Sequence, residues 1–470
     1  MTAPAAIGEV PAASRAHLIR GLPPGPALHP ILQTLHFLIA PEASTLSAMK
    51  RWGDLYTIET IVFGKEVAVV DPELVKQIFT GDPDVFHAGE ANTALGPMVG
   101  LRSLLLLDGA EHLRERRLMM PAFHGERMQA YAETMAEVTE RIISSFRAGD
   151  RFSLHHPMQR ITLEIILRTV FGLADGPRRD RIRDCLAAFM NKAQSRLSLL
   201  MMIPALQRDL GGYSPWAAFK RLRAEVDALI YAEIADRRAE LARPESERRS
   251  DVLSMFLGAR DESGQGMGDV ELRDELMTLL VAGHETTATA LCWAFEQVLG
   301  NPAVHERLLA EIDGAAAEGK ARPDELTRLE YLDATIKEVL RRRPVIPVVG
   351  RKLKRSIVLG GYEIPAETLI VPSIYGIHRR PDVYPDPEVF RPERFLGKKT
   401  DPYSWFPFGG GVRRCLGMAF AMYELKIVLA TVLRRVHLRL VKPAPLAVVL
   451  RSFVFAPEGG TEVVITGQRR

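Results

Sequence analysis

Cysteine is scarce in this chain: three residues in 470, at Cys185, Cys292 and Cys415. They are odd in number, lie far apart and form no CxxC. That excludes a disulfide framework and a cysteine-based zinc site. It fits a reducing cytoplasm, which is the expected location. An excess of one charge is also missing: 61 basic residues face 58 acidic ones, a formal net charge of +3. No long basic run stands out, so nucleic-acid binding is not expected. No stretch reaches the roughly 18 apolar residues of a membrane span. The apolar run "ILQTLHFLIA" is short and contains Gln33 and His36. The N-terminus has no apolar core of a signal peptide. Repeats and low-complexity linkers are absent too. The expectation is a loose tail over residues 1–20 and a single large domain over residues 21–470.

Hydrophobic residues make up 47% of the chain, enough for a large core. "LPPGP" (22–26) predicts a stiff, extended entry to the fold. β-formers alternating around a Gly-Lys turn predict a hairpin over 55–71. From about Asp108 to Pro344 the period is mostly helical. A second β region is predicted over 356–364 and 368–374, and a final hairpin within 446–466. The fold class is therefore mainly α with small β-sheets. One helix, Gly268 to Pro302, is apolar round much of its surface through Leu276, Leu280, Ala290, Ala294 and Val298. It is expected to run through the core, with Asp269 as its cap. Its middle holds Gly283, Glu285, Thr286 and Thr287. Polar groups there need partners, a cavity or a function.

Cys415 sits in "FPFGGGVRRCLGMAFAMYELKIVL" (406–429). A lone cysteine is ordinarily a small buried hydrophobe. Here Gly409, Gly410 and Gly411 permit tight turns and close approach. The run after it is helical in period, with Ala421, Leu425, Val428 and Val432 on one stripe. The helix N-terminus, Arg413 and Arg414 favour a thiolate at Cys415. One thiolate without companion ligands cannot build structural zinc or an iron–sulfur cluster. It suffices for haem iron, where the porphyrin supplies the equatorial ligands. The loop lacks G-x-G-x-x-G and G-K-[ST], so nucleotide phosphates are not its ligand. "HETTA" (284–288) begins like a zinc-protease H-E-x-x-H, but position 288 is alanine.

"FGGGVRRCLG" resembles F-x-x-G-x-R-x-C-x-G, the haem-binding signature of the cytochrome P-450 superfamily. Four further motifs of that family occur in order: "EHLRERR" (111–117), "AGHETT" (282–287), "KEVLR" (337–341) and "FRPERF" (390–395). The resemblance covers about residues 21–470 and implies haem b with Cys415 as axial ligand. It implies that Phe408 shields the sulfur, and that Gly411 and Gly417 let the loop and helix approach the macrocycle. His112, Arg116, Arg351 and Arg413 would meet the propionates. Gly283 would leave room for oxygen, Thr286 would bond it and Glu285 would relay protons. Glu338, Arg341 and Arg394 would form a structural network.

The implied reaction inserts one atom of O2 into a lipophilic substrate such as a fatty acid, terpenoid or steroid. Electrons would come from a ferredoxin or flavodoxin with its reductase. Arg342, Arg343, Arg413, Arg414 and Lys426 form a candidate basic face for such a donor. Residues 86–108 and 190–216 are the candidate substrate contacts, and 197–206 a candidate membrane-touching run. A peroxygenase or isomerase on the same fold, and a haem-binding sensor, are the alternative readings.

Overall fold

A computed structural model of the chain describes residues 18–469, except 126, 174, 194–206, 208, 210, 211, 213, 244–248 and 320. The run 197–206, and most of residues 1–20, thus lie outside the described residues. Twelve described helices have nine or more residues. They are α1 (Pro30–Ile39), α2 (Pro41–Trp52), α3 (Pro72–Thr80), α4 (Gly109–Met119), α5 (Arg127–Ile143) and α6 (His155–Thr169), followed by α7 (Pro177–Ala193), α8 (Pro215–Leu241), α9 (Asp269–Leu299), α10 (Pro302–Ala317), α11 (Glu330–Arg342) and α12 (Met418–Arg435). The helical stretch expected between Asp108 and Pro344 is α4 to α11.

The strands are short and mostly paired over long sequence distances. A five-stranded sheet joins β2 (Leu55–Thr60), β3 (Gly64–Val69), β9 (Leu369–Pro372), β6 (Arg351–Leu353) and β4 (Phe86–His87), in that order. The expected first hairpin is β2–β3, in register Leu55↔Val69. β7 (Ile357–Leu359) and β8 (Tyr362–Ile364) form the second, with β1 (Ile19–Arg20) alongside β8. Ile19 and Arg20, the last two residues of the expected tail, pair with Tyr362 and Glu363. The predicted final hairpin is β11 (Val448–Arg451) with β12 (Val454–Pro457). Its last residues leave it: β13 (Glu462–Gln468) pairs with β10 (Val436–Leu440) and β5 (Arg151–Ser153) instead.

Helix α9 is the spine of the core. Its 31 residues would span about 46 Å at the helical rise. It packs against α6, α8, α12 and β12. Its cap differs from expectation. Gly268 is the capping residue, and Glu271, one turn in, accepts the Gly268 N–H at 2.8 Å. Asp269 is already helical. A carboxylate three residues along is as good a partner for that orphan donor as a capping side chain.

The expected Glu338–Arg341–Arg394 network is present. Arg341 donates to both oxygens of Glu338, at 2.7 and 2.9 Å, and to the carbonyls of His378 and Pro387. Arg394 reaches Glu338 at 3.3 Å. Glu338 and Arg341 are fully buried. The network therefore ties α11 to two distant loops and needs both charges. Glu338→Ala would strand a buried guanidinium and is expected to cost about 3–5 kcal/mol. An unchanged urea midpoint in that variant would remove the network from the list of structural ties.

Candidate active site

The cysteine loop owes its shape to glycine and to helix α3. Phe406 and Phe408 carbonyls accept the N–H groups of Gly409 and Cys415, each at 2.9 Å. Gly409 and Gly411 take positive φ, +67° and +64°. A Cβ on Gly411 would fall 2.3 Å from the Phe79 carbonyl oxygen, and one on Gly410 would enter the Phe79 ring. The glycine at 411 is thus demanded by the end of α3. Gly417 is different: a Cβ there would meet nothing within 4 Å. It is the capping residue of α12 and sits two residues past Cys415. The Phe408 ring is half-buried, 6.3 Å from the Trp405 ring.

Of the three cysteines, Cys185 and Cys292 are buried and only Cys415 has an open side chain. That opening leads into the protein interior, because burial still pushes the Cys415 thiol up from its ordinary value. The Gly417 N–H and the charges of Arg116 and Arg414 oppose burial and lose to it. The thiolate expected from helix dipole and arginines alone is therefore not what the bare chain favours. A thiolate there would need further positive charge, which a bound metal ion would supply, as metal binding and thiol deprotonation are linked.

Four of the expected cofactor-binding side chains converge. His112, Arg351 and Arg413 line one small cavity of about 20 Å³, with Gly410 beside them. Arg116 stands one turn along α4 from His112. Burial, helped by Arg413, Arg116 and Arg351, lowers His112 to about 3. Burial and the neighbouring Arg413 likewise lower Arg351, to about 10. Only one carboxylate joins them: Arg413 pairs with Asp108 and also donates to the carbonyls of Leu104 and Leu107. Among the described residues, neither Arg116 nor Arg351 has a carboxylate partner within 4.0 Å. Arg413 is thus already engaged, whereas buried Arg351 and half-buried Arg116 lack a carboxylate partner among the described residues.

Helix α9 has one open stripe. Leu279, Ala282, Gly283 and Thr286 keep accessible surface in a stretch whose other residues are buried. Their spacing of three and four puts them on one face. Mid-helix in the core, such a face borders an internal chamber. Thr286 donates to the Ala282 carbonyl of its own helix. Glu285, one residue earlier, points about 100° away and is buried. Its oxygens meet His155 Nε2 at 3.0 Å and Gln159 Nε2 at 2.9 Å, with Arg451 at 3.6 Å. Burial would raise this carboxyl, but the His155 and Gln159 bonds outweigh it and hold it below its usual value. A Cβ on Gly283 would approach Ile166 Cδ1 at 3.3 Å, so that glycine also lets α9 sit close to α6.

Sequence reasoning missed Asp108, His155, Gln159 and Arg451. Their partners are more than a hundred positions away, and no local pattern marks them. It also missed how firmly the segment 99–108 is held. Gly100 (φ +98°) lies where a Cβ would strike the Asp274 carboxylate. Asp274 accepts the Arg102 N–H at 2.8 Å, Glu275 the Leu104 N–H at 2.7 Å, and Ser103 meets Thr278 at 2.6 Å. Leu104 thus bridges α9 and the cysteine loop, through its N–H and its carbonyl. The proposed basic face is not there. Arg343 is buried against Trp293 and Glu42, Arg342 bonds Gln297, and Lys426 is buried on Asp333. With Arg413 held by Asp108, Arg414 is the one exposed member of the set.

These features fit a dianionic, iron-bearing macrocycle. They comprise an open cysteine, a glycine with free space beside it, a chamber-lining helix stripe and arginines, one of them buried, that lack carboxylate partners. Comparison with known proteins agrees. The cytochrome P450 family profile matches residues 23–459. A protein of Mycobacterium tuberculosis named putative cytochrome P450 135B1 is 39% identical over 96% of this chain and 92% of its own length. A second from the same organism, putative cytochrome P450 138, is 36% identical over 98% and 99%. Among solved structures, the cytochrome P450DA haem domain superposes with a TM-score of 0.83, at 25% identity over 96% of this chain and 98% of that one. Retinoic acid-bound cyanobacterial CYP120A1 gives 0.81, at 23% identity over 95% and 99%. The chain belongs to the cytochrome P450 family, the haem-thiolate monooxygenases.

Proposed function

We propose that this enzyme oxygenates a lipophilic substrate at the α9 stripe, with Cys415 as the iron ligand and separate proteins as electron donors. The carrying observation is the meeting of an open Cys415 with two arginines that lack a carboxylate partner among the described residues, buried Arg351 and half-buried Arg116. Haem b held by a cysteine sulfur supplies reductive activation of O2 when bound. The chain's own residues do the rest. Arg116, Arg351 and His112 hold the propionate side of the group. Gly417, where a Cβ would meet nothing within 4 Å, would leave room for the macrocycle. Leu279 and Ala282 offer the substrate an apolar wall, which favours a lipophile over a charged metabolite. Thr286 releases its Ala282 bond to present a hydroxyl in the chamber, and Glu285 with His155 forms the buried end of a proton path. No dinucleotide-binding motif occurs in the sequence, which supports external electron donors.

Cys415→Ser is expected to abolish the strongly red-shifted Soret band of the reduced carbon monoxide complex. Retention of that band would assign the ligand elsewhere. Thr286→Ala is expected to bind haem normally while a large part of its electron consumption goes to peroxide instead of product. Unchanged coupling would take the hydroxyl out of the mechanism. Turnover with peroxide alone, as fast as with reduced donor, would favour the peroxygenase reading.

His112 gives a pH prediction. Its folded value, about 3, lies below the unfolded value of about 6.5. Between those values the unfolded chain binds a proton that the folded chain does not. The stability of the haem-free protein therefore falls as pH drops from about 6.5 toward 3. In His112→Gln that part of the decline should disappear. Parallel urea-midpoint profiles for the two proteins would show that His112 is not neutral in the fold.

A further inference from the structure

Two buried carboxylates, on α4 and α9, each have an oxygen to spare. Glu275, on α9, is fully buried. Its Oε1 accepts the Leu104 N–H at 2.7 Å, and among the described residues its Oε2 meets no donor. Glu115, on α4, is 1% exposed. Its Oε1 takes Arg114, and its Oε2 likewise meets no donor. Arg114 ties the two helices together at this level. Besides bonding Glu115, it comes within 3.7 Å of Glu271, which lies one turn before Glu275 on the same face of α9. A buried polar atom without a partner requires a physical reason.

The surrounding cations are already engaged. Arg114 also bonds Asp261 and the Gly266 carbonyl, and Arg102 bonds Glu111 and Glu271. Arg273 holds Asp227 of α8 and Asp274. The remaining charges near Glu275 are negative: Glu115, Asp274 and Glu271 all oppose its ionisation. Burial is the larger effect, and together they push the Glu275 carboxyl well above its ordinary value. Glu115 is raised by burial and by Glu271, but Arg114 and Arg102 oppose the rise. A neutral Glu275 gains an O–H donor, and Glu115 Oε2 is an acceptor that lacks one. One proton thus satisfies both leftover oxygens.

We propose that Glu275 and Glu115 share one proton, carried on Glu275 Oε2 and donated to Glu115 Oε2, and that the pair positions the 99–108 segment. Glu275 holds the Leu104 N–H, and the Leu104 carbonyl accepts from Arg413 of the cysteine loop at 3.1 Å. The shared proton therefore supports a continuous link from α4 through α9 and Leu104 to that loop. When the proton leaves, two ionised carboxylates repel each other out of contact with water, with Glu271 and Asp274 adding to the repulsion. The displacement falls on the segment that Glu275 holds. None of this depends on the substrate or on the electron donors.

The test begins with infrared spectra of the holoenzyme. The wild type is expected to show a carboxylic acid C=O band at neutral pH that disappears as pH rises and is missing from both Glu275→Gln and Glu115→Gln. Either amide supplies an N–H in place of the shared proton, so neither variant needs the proton. Stability follows the same rule. Between the ordinary value of 4.5 and the raised folded value, the folded chain holds a proton that the unfolded chain has released, so stability falls as pH rises. Glu66 and Glu424 are raised as well, so the reading is the difference between proteins. Each variant is expected to lose one proton's share of that decline. Hydrogen exchange in residues 99–108, corrected for the intrinsic rate, should lose about tenfold in protection at alkaline pH in the wild type and stay level in the variants. Absence of the band at neutral pH would overturn the proposal. A band and a decline that survive Glu115→Gln would overturn the sharing and leave Glu275 a lone buried acid. That variant and the wild-type titration keep the test decisive should Glu275→Gln fail to fold. Equal protection of the segment in wild type and variants at every pH would overturn the positioning role.

Discussion

Everything in this fold leans on a single long helix whose polar residues are buried. A 31-residue helix through the core cannot hide Asp274, Glu275, Glu285 and Glu296 from an apolar interior. Each must be met by a group from another segment. Asp274 and Glu275 are met by backbone N–H groups of the 99–108 segment, and Glu285 by His155 and Gln159. Glu296 is met by the Leu446 N–H at 3.0 Å. Trp293 donates to the Phe455 carbonyl at 2.8 Å, and the Cys292 carbonyl accepts from Thr461 at 2.9 Å. The helix therefore specifies where four distant segments dock. Polar satisfaction, more than apolar packing, sets the register of the site, because packing tolerates sliding and paired donors do not.

The same rule explains what the sequence revealed and what it hid. The cysteine loop was legible because its chemistry is local: glycines, arginines, a cysteine and a helix start within ten residues. The central helix was legible from period and length, and the Glu338–Arg341 pair from its spacing. The β2–β3 and β7–β8 hairpins were legible from alternation and turns. Strands β4, β5, β6 and β10 were not, since two to five residues carry no period and exist only through distant partners. The basic face failed for a related reason. Five cations drawn from three separate stretches suggest a surface, but Arg343 and Lys426 find Glu42 and Asp333 by tertiary packing. Exposure is a property of the folded neighbourhood, and a charge run does not encode it.

Cys415 shows how two correct local arguments combine with opposite signs. The helix start and the arginines do favour a thiolate. Burial disfavours it, and burial is the larger effect here. Nearby, Arg351 and His112 are lowered for the matching reason, since burial disfavours cations as well. The chain by itself therefore holds a reluctant anion site and reluctant cation sites a short distance apart. A metal ion held by the sulfur and carboxylates held by the arginines would relieve both at once. The site is complementary to a group that is positive at its centre and negative at its edge.

That complementarity bears on how specific the pocket is. Separate anions could relieve the arginines, and a separate cation could relieve the sulfur. Neither would use the free space beside Gly417 or the open stripe from Leu279 to Thr286. A flat, apolar, rigid group carrying both charges engages all four features together. Its rigidity means that fixing one end positions the other, at no further cost in entropy. The fold's unpaired charges and its empty apolar space are thus two views of the same constraint. Each would be a defect alone, and each is explained by the other.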